Sequence, residues 1–197
     1  MRPAAALLIV DVQNDFCPGG ALAVNDGDKV VAVLNRYIAA FVKQGSPVIA
    51  SRDWHPRQTK HFKEFGGPWP VHCVQDTPGA AFHPRLKLPP AAIIVSKGMD
   101  PDKDSYSAFQ AIDEKGRALL DILRDAGVAE LWVGGLATDY CVKASVLDAL
   151  KHCKVKLLID AIKGVDIHPG DSKKALAEMI KAGAVKITLK ELETIKE

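Results

Sequence analysis

A carboxylate, an amine and a thiol sit where short apolar runs give way to loops: Asp11 after AALLIV, Lys97 after AAIIVS, and Cys141 in GGLATDYCV. Cys141 follows a glycine pair and opens an amphipathic stretch, so Thr138 or Asp139 is placed to cap a helix whose first turn carries the thiol. The partial positive charge at a helix start favours an anion, which predicts a lowered thiol pKa. A thiolate, a carboxylate to take its proton and a fixed cation together suit attack on a carbonyl carbon. The 134–137 turn can also aim backbone N–H groups at the oxyanion that forms. Taken singly, each residue has a plainer reading: a small buried cysteine, a lysine snorkelling to water, an aspartate closing a turn.

A second group lies in segment 53–90. Asp53 and His55 are two residues apart, on one side of an extended segment, and His61 and His72 follow. Two imidazoles and a carboxylate suit Zn²⁺, Mn²⁺ or Fe²⁺ with positions left open. His61 stands either as a further ligand or as a neighbour of one. The alternative is a polar loop with surface histidines. His83, His152 and His168 have no partner by sequence and read as structural. Phe16, Trp69 and Tyr106 are loop aromatics that either fill gaps or wall a pocket for a flat ring.

The elements that must position these groups follow from periodicity. Apolar runs predict six strands, over 5–12, 47–51, 92–96, 130–134, 155–159 and 185–188. Helical spacing predicts helices over 26–44, 117–126, 138–152 and 171–182, three of them followed by glycine. Strands apolar on both faces and alternating with helices imply a parallel sheet covered on both sides, a three-layer α/β/α fold. In open sheets of this kind the site lies beyond the carboxyl ends of the strands, which is where Asp11, Asp53, Lys97 and Cys141 fall. Segment 53–90 alone breaks the pattern. Loops this long in a compact domain are functional or disordered, and its aromatic residues favour function.

The 197 residues fit one domain, 1–197, with 53–90 as its long loop. An apolar fraction of 48% excludes a disordered chain. A net charge of +2 without a basic stripe argues against nucleic acid as a partner. No apolar run reaches the ~18 residues of a membrane span, and no signal-peptide pattern is present, so a cytoplasmic protein is expected. The four cysteines form no CxxC pair and are expected to be free thiols.

DVQNDFCPGG, SRDWHP, WPVHCVQDTPGAAFHP, VSKGMDPDKDSYSAF and GGLATDYCV, in this order and almost end to end, resemble the nicotinamidase branch of the isochorismatase-like cysteine hydrolases. The resemblance implies a six-stranded parallel sheet of order 3-2-1-4-5-6. It implies a catalytic triad of Asp11, Lys97 and Cys141, and a metal held by Asp53, His55 and His72, with His61 as ligand or neighbour. It further implies a cis peptide between Leu136 and Ala137, oxyanion donors at the Ala137 and Cys141 N–H groups, and a ring pocket of Phe16, Trp69 and Tyr106. Tyr140 stands where some relatives carry His. Zn²⁺ is the leading metal, with Mn²⁺ or Fe²⁺ as alternatives. The implied activity is hydrolysis of nicotinamide to nicotinate and ammonia through a thioester, within NAD salvage, with pyrazinamide as a second substrate. Homo-oligomers are common in the family. Neighbouring amidohydrolases acting on carbamoyl or ureido groups share the cysteine triad, and the metal ligands set the nicotinamidases apart.

Overall fold

The computed structural model describes residues 4–194. Its strands are β1 Ala4–Val10, β2 Val48–Asp53, β3 Ile93–Lys97, β4 Val128–Leu136, β5 Lys154–Lys163 and β6 Val185–Ile187. The helices are α1 Lys29–Lys43, α2 Leu119–Asp125, α3 Lys143–Ala149, α4 Asp171–Lys181 and α5 Leu189–Thr194. The strands form one sheet in the order β3-β2-β1-β4-β5-β6, every pair parallel.

The alternation of side chains along β1 builds both cores. Leu7 and Ile9 face the cluster closed by α1 and α5, while Ala6, Leu8 and Val10 face the one closed by α2, α3 and α4. Leu7, Leu8 and Ile9 are wholly buried, each worth roughly 1.5–3 kcal/mol over an exposed side chain. Helix α1 presents one apolar stripe, Val30, Val31, Leu34, Tyr37, Ile38 and Phe41. It stops where Gly45 takes a left-handed φ of 67°. Among the described residues no helix is long and apolar enough to cross a membrane.

Four elements differ from the expectation, among them β5, which runs past Ile159 to Lys163. Strand β4 runs on through Gly134 and Gly135 to Leu136. Gly135 sits there because a Cβ would stand 2.1 Å from the Val10 carbonyl oxygen and its φ is 123°, so it marks close strand approach rather than a strand end. The expected helix over 138–152 is a π-helical turn, Thr138–Val142, followed by α3. Helix α5 went unforeseen; its Leu189 and Leu192 close the end of the first core.

Candidate active site

Three parallel strands deliver the charged groups to one level. Asp11 is the first residue past β1, and Asp53 and Lys97, the last residues of β2 and β3, are register partners. Asp11 has a positive φ of 49°, uncommon for a residue with a side chain, and Ser51 Oγ donates to its Oδ1 at 2.7 Å. Gln13 fixes the end of β2: its amide donates to the carbonyls of Asp53 and Ala80 and accepts from the Asp53 N–H, each at 2.8 Å.

Lys97 is fully buried between these carboxylates. Its Nζ lies 2.9 Å from Asp11 Oδ2, contacts Asp53 Oδ1, and stands 3.5 Å from Cys141 Sγ. Burial works against its charge, but Asp11 and Asp53 outweigh that and hold Lys97 protonated, well above the usual lysine range. Burial raises Asp11 against the pull of Lys97, whereas at Asp53 the same ammonium overcomes burial and holds the carboxyl well below its usual range.

Cys141 lies in the π-helical turn, and its Sγ falls within 4.8 Å of a carboxylate oxygen of Asp11 and of Asp53. The lowered thiol pKa expected at a capped helix start does not hold. Burial pushes the Cys141 thiol well above its ordinary value despite Lys97. Neither Thr138 nor Asp139 caps the turn, whose N-cap is Ala137. The resting pair is thus a thiol with a carboxylate placed to accept its proton. The Leu136–Ala137 peptide is cis, as the resemblance implied.

Beside Asp53 lie three imidazoles. A ring nitrogen from each of His55, His61 and His72 falls within 4.8 Å of the others. Asp53 Oδ2 is 3.6 Å from His55 Nε2 and 3.9 Å from His72 Nε2. Non-local bridges fold the long loop to this point, pairing His55 with Val74 and Phe62 with Trp69. Each Nδ1 has its own partner: Gly98 O for His55 at 3.0 Å, Pro70 O for His72 at 2.7 Å, Asp104 Oδ1 for His61 at 2.5 Å. Gly98 must be glycine, since a Cβ there would stand 2.5 Å from the His55 ring. Burial lowers His61, and lowers His72 to about 4, so both rings are neutral with lone pairs to donate. His55 Nε2 is buried with no hydrogen-bond partner among the described residues. An orphaned nitrogen, neutral imidazoles held from behind and one carboxylate fit a divalent transition metal.

Cys141, Asp53, His61 and His72 open onto one cavity walled by Phe16, Trp69, Tyr106, Tyr140 and Val165. Trp69 Nε1 donates to the Tyr106 hydroxyl at 2.9 Å, and the Trp69 ring meets Tyr140 edge-on at 5.0 Å between centroids. Ala137 also lines this cavity.

The model of the isochorismatase domain matches residues 5–191 of the chain. The chain belongs to the isochorismatase family. Within it, the nicotinamidase of Escherichia coli (strain K12) is 46% identical over 208 residues, covering 97% of this chain and 98% of that protein. The solved pyrazinamidase of Pyrococcus horikoshii in complex with zinc superposes with a TM-score of 0.87 at 48% identity, covering 95% of this chain and all of the other. PnC1 from L. infantum in complex with nicotinate gives a TM-score of 0.84 at 33% identity, over 94% of this chain and 93% of that one.

The triad, metal-ligand and ring-pocket candidates of this isochorismatase-family chain lie at this one site, and a ring nitrogen of His61 falls within 4.8 Å of those of His55 and His72. The other histidines lie elsewhere: His83 Nδ1 accepts from the Arg85 N–H, His152 stacks on Phe109, and the His168 N–H donates to Asp171. Sequence reasoning missed Gln13, Ser51, Asp104 and Ser105. Ser105 lines the cavity with a buried hydroxyl that has no partner among the described residues. Asp104 falls in the charged run DPDKDS, which looks like a solvated loop.

Proposed function

We propose that this chain hydrolyses the carboxamide of nicotinamide, and of pyrazinamide, to the acid and ammonia. One observation carries the reading: Cys141, beside buried Asp11 and Lys97, shares one aromatic cavity with Asp53, His61 and His72 of a cluster that His55 completes. Cysteine chemistry alone would not call for the donor set. The zinc complex of the Pyrococcus horikoshii protein and the nicotinate complex of the L. infantum protein support it.

Phe16, Trp69 and Tyr106 hold the flat ring, and Tyr140 and Val165 complete the wall. Asp53, His55 and His72, with His61 beside them, would hold the metal, for which zinc is the leading identity. When bound, it would supply a Lewis acid that withdraws electron density from the ring. Asp11 takes the Cys141 proton as sulfur attacks the amide carbon. Lys97 holds Asp11 in place and balances the charge that develops on sulfur. The N–H groups of Ala137 and Cys141 receive the oxyanion. Asp11 returns the proton to the nitrogen, ammonia leaves, and a thioester to Cys141 remains. Asp11 then takes a proton from water, whose attack on the thioester releases the acid and restores the thiol. Such a step recovers nicotinamide for NAD synthesis, and four free cysteines support a cytoplasmic setting.

The test is ammonia release from nicotinamide by the purified protein, with and without a chelator, beside Cys141→Ala. Turnover that needs both thiol and metal is the expected result. Turnover that survives Cys141→Ala would overturn the nucleophile, and full activity in metal-free protein would overturn the metal's role.

A further inference from the structure

Of the three imidazoles at the cluster, His61 alone has a side chain as its Nδ1 partner. His55 and His72 donate through Nδ1 to the backbone carbonyls of Gly98 and Pro70. His61 Nδ1 meets Asp104 Oδ1 at 2.5 Å. We propose that Asp104 is the positioning residue that commits His61 to the metal, turning a three-ligand site into a four-ligand one; this rests on the metal reading above.

A carboxylate accepts and cannot donate, so it places the imidazole hydrogen on Nδ1 and leaves the Nε2 lone pair free. It also makes the ring a stronger donor to a metal. The ring is already oriented: it stacks on His55 at 4.6 Å and lies 5.4 Å from His72 between centroids. The two segments are joined as a unit. The Lys60 N–H donates to Pro101 O at 2.8 Å, Thr59 Oγ1 to the same oxygen at 3.2 Å, and Lys60 Nζ pairs with Asp102 at 2.7 Å. His61 is 4% exposed, but the Asp104 side chain is 52% exposed. A carboxylate that open to water contributes little to stability through one ion pair. Its removal should therefore be felt in metal binding more than in folding.

The test is zinc affinity, measured by competition with a chromophoric chelator, for wild type, Asp104→Ala, Asp104→Asn, His61→Ala and the Asp104→Ala/His61→Ala double variant. Asp104→Ala should bind zinc about 10–100-fold more weakly, with the melting temperature of the metal-free protein unchanged. Asp104→Asn, whose amide oxygen still accepts, should lose less, and carries the test if the alanine variant fails to fold. In the His61→Ala background Asp104→Ala should add nothing, because it acts only through that ring. Asp102→Asn, which breaks the neighbouring Lys60 pair, should bind like wild type. Wild-type affinity in Asp104→Ala, or a loss that persists undiminished without His61, would overturn the proposal while leaving the metal site standing. A wild-type protein that binds no zinc would instead overturn the metal reading and this inference with it.

Discussion

Lys97 Nζ stands 3.5 Å from Cys141 Sγ, buried beyond the reach of water. The cation beside the proposed nucleophile is therefore held by protein groups, the carboxylates of Asp11 and Asp53 and the Ser105 carbonyl. Their geometry depends on it in turn, since Asp11 and Asp53 are two buried acids with this one ammonium between them.

Lys97→Met tests that dependence. It removes one partner from a buried charge cluster, which costs about 3–5 kcal/mol when the remaining charge is left unpaired. Turnover of nicotinamide should be lost, and the urea midpoint of the metal-free protein should fall. A variant that kept wild-type stability would mean that Asp11 and Asp53 do not need the ammonium.

The glycines offer a prediction about strain and space. Gly116 and Gly135 both have positive φ, 77° and 123°, but a Cβ at Gly116 would meet nothing within 4 Å, whereas at Gly135 it would strike the Val10 backbone. Gly116→Ala should cost about 1–2 kcal/mol from backbone conformation alone. Gly135→Ala should cost more and also depress activity, because β1 and β4 must part just below Asp11 and the 136–142 turn. Equal unfolding free energies for the two variants would contradict this account.

Legibility from the sequence differs from element to element. The strand order followed only from the family resemblance, but the positions of Asp11 and Lys97 were legible because each follows an apolar run, and Asp53 lies two residues past the run over 47–51. The 138–142 turn was misread because Thr138 and Asp139 are good capping types. Asp139 instead accepts from N–H groups 26 and 27 residues away, and no local signal reports that. His61 stayed ambiguous for the same reason: its place depends on the Phe62–Trp69 bridge and on Asp104, both non-local. Ser105 gave no signal at all.

Metal removal should show in stability as well as in rate. A ligand that binds only the folded state stabilises it by about 2.7 kcal/mol at a hundred times its dissociation constant. Zinc added to chelator-treated protein should raise the melting temperature, and His72→Ala should shrink that rise. Thermal scans at graded zinc concentrations measure it. No shift in the wild type would argue against a site that assembles only on folding.

Asp139 ties the nucleophile's turn to the cavity wall. Its Oδ1 accepts from the Val165 N–H at 2.9 Å and its Oδ2 from the Asp166 N–H at 2.8 Å. Asp166, at a positive φ of 51°, accepts in turn from the Ser172 N–H near the start of α4 at 2.8 Å. Val165 thus reaches the cavity on a loop hung from a residue two positions before Cys141. Hydrogen bonds to a charged acceptor are worth about 1.5–3 kcal/mol each, so Asp139→Ala releases a well-held loop. Asp139→Asn keeps one acceptor oxygen and should fall between. Because Val165 touches the ring side of the cavity, the alanine variant should raise KM for nicotinamide by more than it lowers kcat. Steady-state kinetics separates the two. A fall in kcat at constant KM would show that Asp139 acts on the Cys141 turn instead, and wild-type values for both would show that the 164–170 loop keeps its place without this carboxylate.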